Sequence, residues 1–222
     1  MSRLARRPSR LRGLAAAITV AAASTGAWLM LAGCSGGFRS NLPVAQVYVL
    51  HPTAAVAVGA AAAPAFGTVQ VMLPQAAAGL GTDSIVVLRS DQRLDYYSAV
   101  HWAAAAPVML QMLVIDALRG ANRFATVESD AGPFPADYVL GVELSHFEAD
   151  YAATGPPTVH VALVCTLGKR GTRQVLVSFT AESEVRAEAD RMQAVVAAFE
   201  QATGQALSQL AARTSPTPAA LP

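Results

Sequence analysis

YVLGVEL at residues 138–144 and VHVALVCTL at residues 159–167 decide the fold. In the first, Tyr138, Leu140, Val142 and Leu144 occupy alternate positions. In the second, Val159, Val161, Leu163, Cys165 and Leu167 do the same. A period of two puts each set on one face of a strand, so both stretches predict strands with one apolar side. Val175, Val177 and Phe179 repeat the pattern a third time. Gly155-Pro156-Pro157 and Lys169-Arg170-Gly171 fall between these runs and supply turns, which makes an antiparallel meander.

Working outward, short β-type runs precede the meander: QVYVL (46–50), TVQVML (68–73) and IVVLR (85–89). RLDYY (93–97) follows the turn residues Ser90-Asp91-Gln92, and Pro52, Pro64 and Pro74 limit the length of these runs. PVMLQMLVIDAL (107–118) is apolar nearly all round and predicts a buried helix, with Pro107 in its first turn and Gly120 as its stop. Residues 124–127 predict a short strand. From Asp190 to Ala212, Met192, Val195, Phe199, Ala202, Ala206 and Leu210 recur at spacings of three and four, the mark of an amphipathic helix. Together these predict an α+β fold, a mainly antiparallel sheet with two helices packed on one face.

The amino terminus has a different composition. Five of the sixteen basic residues are Arg3, Arg6, Arg7, Arg10 and Arg12, and no acid appears before Asp83. An uncharged stretch from Gly13 to Ala32 follows, then Cys34. A basic start, an apolar run and small residues before a cysteine form a secretory signal. An uncleaved membrane anchor competes with that reading, because the apolar run approaches the length of a span. Leu31-Ala32-Gly33-Cys34 decides against the anchor, since these residues match the bacterial lipobox. In such signals the cysteine is acylated, with chains such as palmitate, and the chain is cut before it.

The expected organisation is therefore a cleaved signal (1–33), a lipidated tether (34–45), one domain (46–213) and a flexible tail (214–222). Removing residues 1–33 changes the formal charge from +1 to −4, because eleven Lys and Arg then face fifteen Asp and Glu. A mildly acidic chain argues against nucleic acid as a partner. The chain has two cysteines, and lipidation of Cys34 leaves Cys165 without an internal disulfide partner. In its strand, Cys165 reads as a small buried hydrophobe.

A search for chemistry finds little. His51, His101, His146 and His160 are scattered, and none pairs with another at metal-ligand spacing. His160 lies on the strand face opposite Val159 and Val161 and reads as a surface histidine. His146, Glu148 and Asp150 alternate along one strand and read as a solvated face, as do Glu182 and Glu184. There is no G-x-S-x-G, P-loop or H-E-x-x-H motif. The reading is a non-enzyme with no catalytic residue, cofactor or metal. One constellation remains, Tyr96, Tyr97, His101 and Trp102 ahead of the apolar helix. It reads either as a partner-contact surface or, for Tyr97 and Trp102, as core where the helix meets the sheet.

YVLHP (48–52) and the stretch from Val69 to Leu110, which contains RLDYYSAVHW, resemble the ABC-type transport auxiliary lipoproteins, the paraquat-inducible C-like lipoproteins among them. The likeness continues through Asp137-Tyr138-Val139-Leu140, Phe147-Glu148-Ala149 and Ala197-Ala198-Phe199-Glu200. The resemblance implies a membrane-attached subunit of an intermembrane lipid transport system whose partner is an MCE-domain protein. It also allows a homo-oligomer, since members of that family can form rings. Ser35 after the cysteine implies the outer membrane, facing the periplasm, with the periplasmic face of the inner membrane as the alternative. The family's tract usually has a basic residue before its tryptophan and an acid shortly after it. Here those places hold His101 and Ala104 or Ala105. A lipid-binding or envelope-assembly lipoprotein with an apolar cavity is the competing function.

Overall fold

A computed structural model of the chain describes residues 44–52 and 66–216. Cys34, the signal, most of the tether and the last six residues lie outside the described residues. Those described belong to one compact unit that begins at Val44. Its elements in order are β1 (Gln46–Tyr48), β2 (Phe66–Val71), β3 (Gln75–Ala76), β4 (Ser84–Leu88), β5 (Leu94–Trp102), α1 (Ala106–Ala121), β6 (Phe124–Ser129), β7 (Tyr138–Asp150), β8 (Thr158–Lys169), β9 (Gln174–Arg186) and α2 (Met192–Arg213).

The meander forms as its alternation predicts except at Val175, which a register shift beside Gly168 turns away from the face of Val177 and Phe179 and leaves 59% exposed. β7 pairs antiparallel with β8 from Tyr138 opposite Lys169 to Asp150 opposite Thr158, and β8 pairs antiparallel with β9. The other edge of β7 departs from the sequence expectation. β2, β3 and β4 line up along it one after another, and all three run parallel to it. β6 pairs parallel with β2, β5 antiparallel with β4, and β1 parallel with β5. The sheet is therefore mixed rather than mainly antiparallel.

Alternation identifies a strand but carries no direction, which is why the sequence did not show this. The long connection through α1 is the physical cause for one pair. From β2 the chain passes through β3, β4, the reversed strand β5 and α1 before β6, a connection long enough for β6 to lie parallel beside β2. The thirteen residues of β7 also exceed any of its three parallel partners, so its edge is covered piece by piece.

Both helices share one hydrophobic core with the apolar face of the sheet. Trp102, Phe147 and Phe199 sit at its centre, with ring centroids 5.9 Å (Trp102–Phe147), 5.2 Å (Trp102–Phe199) and 5.0 Å (Phe147–Phe199) apart. These tilted and edge-on contacts suit the aromatic quadrupole, and the three rings fill the space between sheet and α2. α1 opens with Pro107 in its first turn, but Gly120 does not stop it. The helix runs on to Ala121 and ends at Asn122, left-handed at φ 50, whose N–H bonds to the Arg119 carbonyl. Asparagine tolerates that conformation better than most residues, so it serves where glycine was expected. α1 is also less buried than its composition suggests, since Met112 is 63% exposed. At the far end, Thr214 is buried, and its hydroxyl and N–H both bond to the Leu210 carbonyl. It caps α2 rather than beginning a tail.

Candidate functional site

The sequence's candidate contact residues all lie on β5, which continues five residues beyond its expected end at Tyr97. β5 pairs with β4 at Leu94, Asp95 and Tyr96, and then not again until His101 lies opposite Ser84. Residues 97–100 therefore bulge from that ladder. Ala99 within them is left-handed at φ 56, a strained conformation for alanine. The strain is held from the other side, where β1 pairs with Val100, His101 and Trp102. Bulges re-aim side chains, and this one separates the four candidates.

Tyr96 is 46% exposed. His101 is part-exposed, with Nδ1 3.5 Å from Asp83 Oδ1. Tyr97 turns inward, its hydroxyl 2.6 Å from that of Tyr151, which donates at 2.6 Å to Asp190 Oδ1. Tyr151 has one proton to give, so Tyr97 donates to it, and the chain of hydroxyls runs Tyr97–Tyr151–Asp190. Burial pushes both phenols above the ordinary tyrosine range, and for Tyr151 the Asp190 carboxylate adds to the effect. Trp102 is 2% exposed and belongs to the core trio. Of the two readings of Trp102, the structure places it in the core, directly behind the exposed part of β5.

Beside β1, Leu50, Pro52, Leu113, Ala117 and Leu207 line an open hollow of about 300 Å³, with His51 and Asp116 as its polar residues. That is the low end of small-ligand cavities. Cys165 is fully buried on β8, and burial pushes its thiol up to about 12, so it is held protonated and unreactive.

One grouping runs against the sequence reading. The histidines are not all scattered: His146 and His160 stack with centroids 4.1 Å apart. The signal that would have found them is the turn at Gly155-Pro156-Pro157. Pairing two strands about it places Glu148 opposite His160.

The geometry describes an α+β domain with a filled aromatic core and a strained, partly exposed strand next to the edge strand β1. The chain belongs to the family described as ABC-type transport auxiliary lipoprotein component, whose model matches residues 48–211. Protein XCC0632 from Xanthomonas campestris has a similar solved structure, with 26% identity and a TM-score of 0.66, covering 75% of this chain and 92% of that one. A second solved structure, of an uncharacterized protein, is 16% identical with a TM-score of 0.61 and covers 78% of this chain and 100% of its own. That second likeness shows the fold alone. No match to this sequence was found among curated proteins.

Proposed function

We propose that this chain is the non-catalytic, lipid-anchored subunit of an ABC/MCE-type lipid transport system, docking the transporter at the outer membrane from the periplasmic side. The observation that carries this reading is the family match over residues 48–211 behind the lipobox Leu31-Ala32-Gly33-Cys34. Acyl chains on Cys34 supply the membrane attachment. Each buried methylene contributes about 0.8 kcal/mol, so two or three chains hold the domain where one would not. Among the described residues no helix is long and apolar enough to cross a membrane. The exposed part of β5, Tyr96 and His101, is the contact surface for an MCE-domain protein. Tyr97 and Trp102 support it from within.

A lipid-carrying role is the second reading, favoured by the apolar hollow at Leu50 and Leu113. The buried trio of Trp102, Phe147 and Phe199 argues for the adaptor instead, since it occupies the space an acyl chain would need between sheet and α2. Crosslinking in cells followed by affinity purification tests the adaptor reading. Recovery of an MCE-domain protein is expected, with less recovered from a Tyr96→Ala, His101→Ala double variant. Recovery of lipid with no MCE protein would overturn it. For the anchor, Cys34→Ala is expected to accumulate as unprocessed precursor. Normal fractionation of that variant with the outer membrane would overturn the lipid attachment.

A further inference from the structure

The face of β7, β8 and β9 opposite the helices carries a cluster that the transporter reading does not use. A bulge between Leu144 and His146 shifts the phase of β7 by one residue. Before it Leu140, Val142 and Leu144 face the core; after it Phe147 and Ala149 do, and His146 and Glu148 take the other face. Glu148 lies opposite His160, His146 opposite Ala162, and Ala162 opposite Glu182 on β9. Ala162 offers only a methyl group, which leaves room for the two imidazoles from the adjoining positions. They stack 4.1 Å apart, with their planes 18° from parallel.

Glu148 is the centre of the cluster, its side chain 5% exposed. One carboxylate oxygen accepts the Phe147 N–H at 2.6 Å. The other faces both imidazoles, 2.8 Å from His146 Nδ1 and 3.7 Å from His160 Nδ1. The remaining nitrogen of His160, Nε2, lies 2.7 Å from Glu182 Oε1. An ionised carboxylate only accepts, so Nε2 carries the proton there, and a neutral ring has its lone pair on Nδ1, toward Glu148. A cation held between Nδ1 and the Glu148 carboxylate, whether a proton or a metal ion, makes this 3.7 Å contact attractive.

We propose that His146, Glu148 and His160 bind one divalent first-row transition-metal ion of the Zn²⁺ class. Imidazole and carboxylate together suit zinc, whereas calcium and magnesium prefer oxygen donors throughout. With zinc bonds of about 2.0–2.2 Å, tetrahedral donors stand about 3.3–3.5 Å apart. The His160–Glu148 contact at 3.7 Å is close to that separation, the 2.8 Å His146–Glu148 hydrogen bond would open by about 0.5 Å to admit the ion, and the three donor atoms all lie within 4.8 Å of one another. Glu182 is the outer partner that such histidines require, fixing the tautomer and orientation of His160. His146 is 47% exposed, so the fourth position opens to solvent. The ion would pin the bulge of β7 to β8 at mid-sheet. This inference stands on the sheet's own residues and does not depend on the transporter reading.

Calorimetry of the full chain in detergent, titrated with Zn²⁺, tests the site, and Co²⁺ absorption reports its geometry. One ion per chain with a tetrahedral cobalt spectrum is expected. His146→Ala and His160→Ala should each weaken binding by more than about tenfold, and Glu182→Gln by roughly 10- to 100-fold. Glu184→Gln should leave it unchanged, because the alternative grouping of His160, Glu182 and Glu184 uses exposed carboxylates. Glu148→Gln should abolish binding. If that variant does not fold, His146→Ala, half-exposed and checked by circular dichroism, decides the matter. Absence of stoichiometric binding, full binding in the His146→Ala variant, or loss on Glu184→Gln equal to that on His160→Ala would each overturn the proposal.

Discussion

The two faces of β7, β8 and β9 are built from alternate residues of the same strands, yet they do opposite work. One face, with Leu140, Phe147, Val161, Leu163 and Phe179, meets the helices and is dry and apolar. The other, a single residue out of phase, carries His146, Glu148, His160 and Glu182 bound to one another. The first face holds the fold together through buried area, whose worth scales with surface removed from water. In the second, Glu148 is buried while His146 and Glu182 are half-exposed, so the cluster removes less apolar surface from water and acts through geometry instead. A one-residue bulge decides which residues of β7 fall on which side.

The sharpest way to break this comparison is to remove an aromatic from the apolar face. Phe199→Ala is expected to cost about 3–5 kcal/mol by chemical denaturation, through lost transfer energy and the cavity left behind. His146→Ala, without added metal, should cost about 1 kcal/mol or less. Equal costs would show that the outer cluster holds the fold as strongly as the core does.

Cys165 probes the same face by reactivity. A thiol that ionises at about 12 in the folded chain and at its ordinary 9.0 in the unfolded chain makes folding favour the protonated form. That contribution is fully present below pH 9.0 and is lost as pH rises toward 12. Labelling with a thiol reagent at pH 8 should be at least roughly a thousandfold slower in the native state than in denaturant. Rapid native labelling would mean that β8 is open to solvent.

Tyr151→Phe comes next, since it deprives both Tyr97 and Asp190 of a partner. A loss of about 1–3 kcal/mol is expected, and an unchanged denaturation midpoint would show that these hydroxyls are satisfied by water. The smallest effect belongs to Tyr96→Ser on the exposed edge. A stability change within about 0.5 kcal/mol is expected, so that any loss of partner recovery reports contact rather than folding.

Much of the architecture was legible in residues 138–179 because alternation is a local property. Val159, Val161, Leu163, Cys165 and Leu167 lie on one strand face whatever else the chain does. The spacing of Met192, Val195, Phe199 and Ala202 likewise commits α2 to one apolar side. The parallel pairing of β2, β3 and β4 with β7 was not legible, because nothing in a short β-type run states its partner or direction. The same limit hid the outer cluster. His146 and His160 are fourteen positions apart in the sequence, and only the register across the turn and the bulge after Leu144 bring them together. Tyr96, Tyr97, His101 and Trp102 were visible as a group, but not their division into exposed edge and core, which depends on the bulge around Ala99.

The sequence by itself determined the strands of the meander, the amphipathic helix and the family resemblance, because each rests on residues close together in the chain. Tertiary structure decided the mixed sheet, the burial of Trp102 and the joining of two histidines with a buried glutamate. These depend on pairing between distant segments, where a shift of one residue turns every side chain to the opposite face.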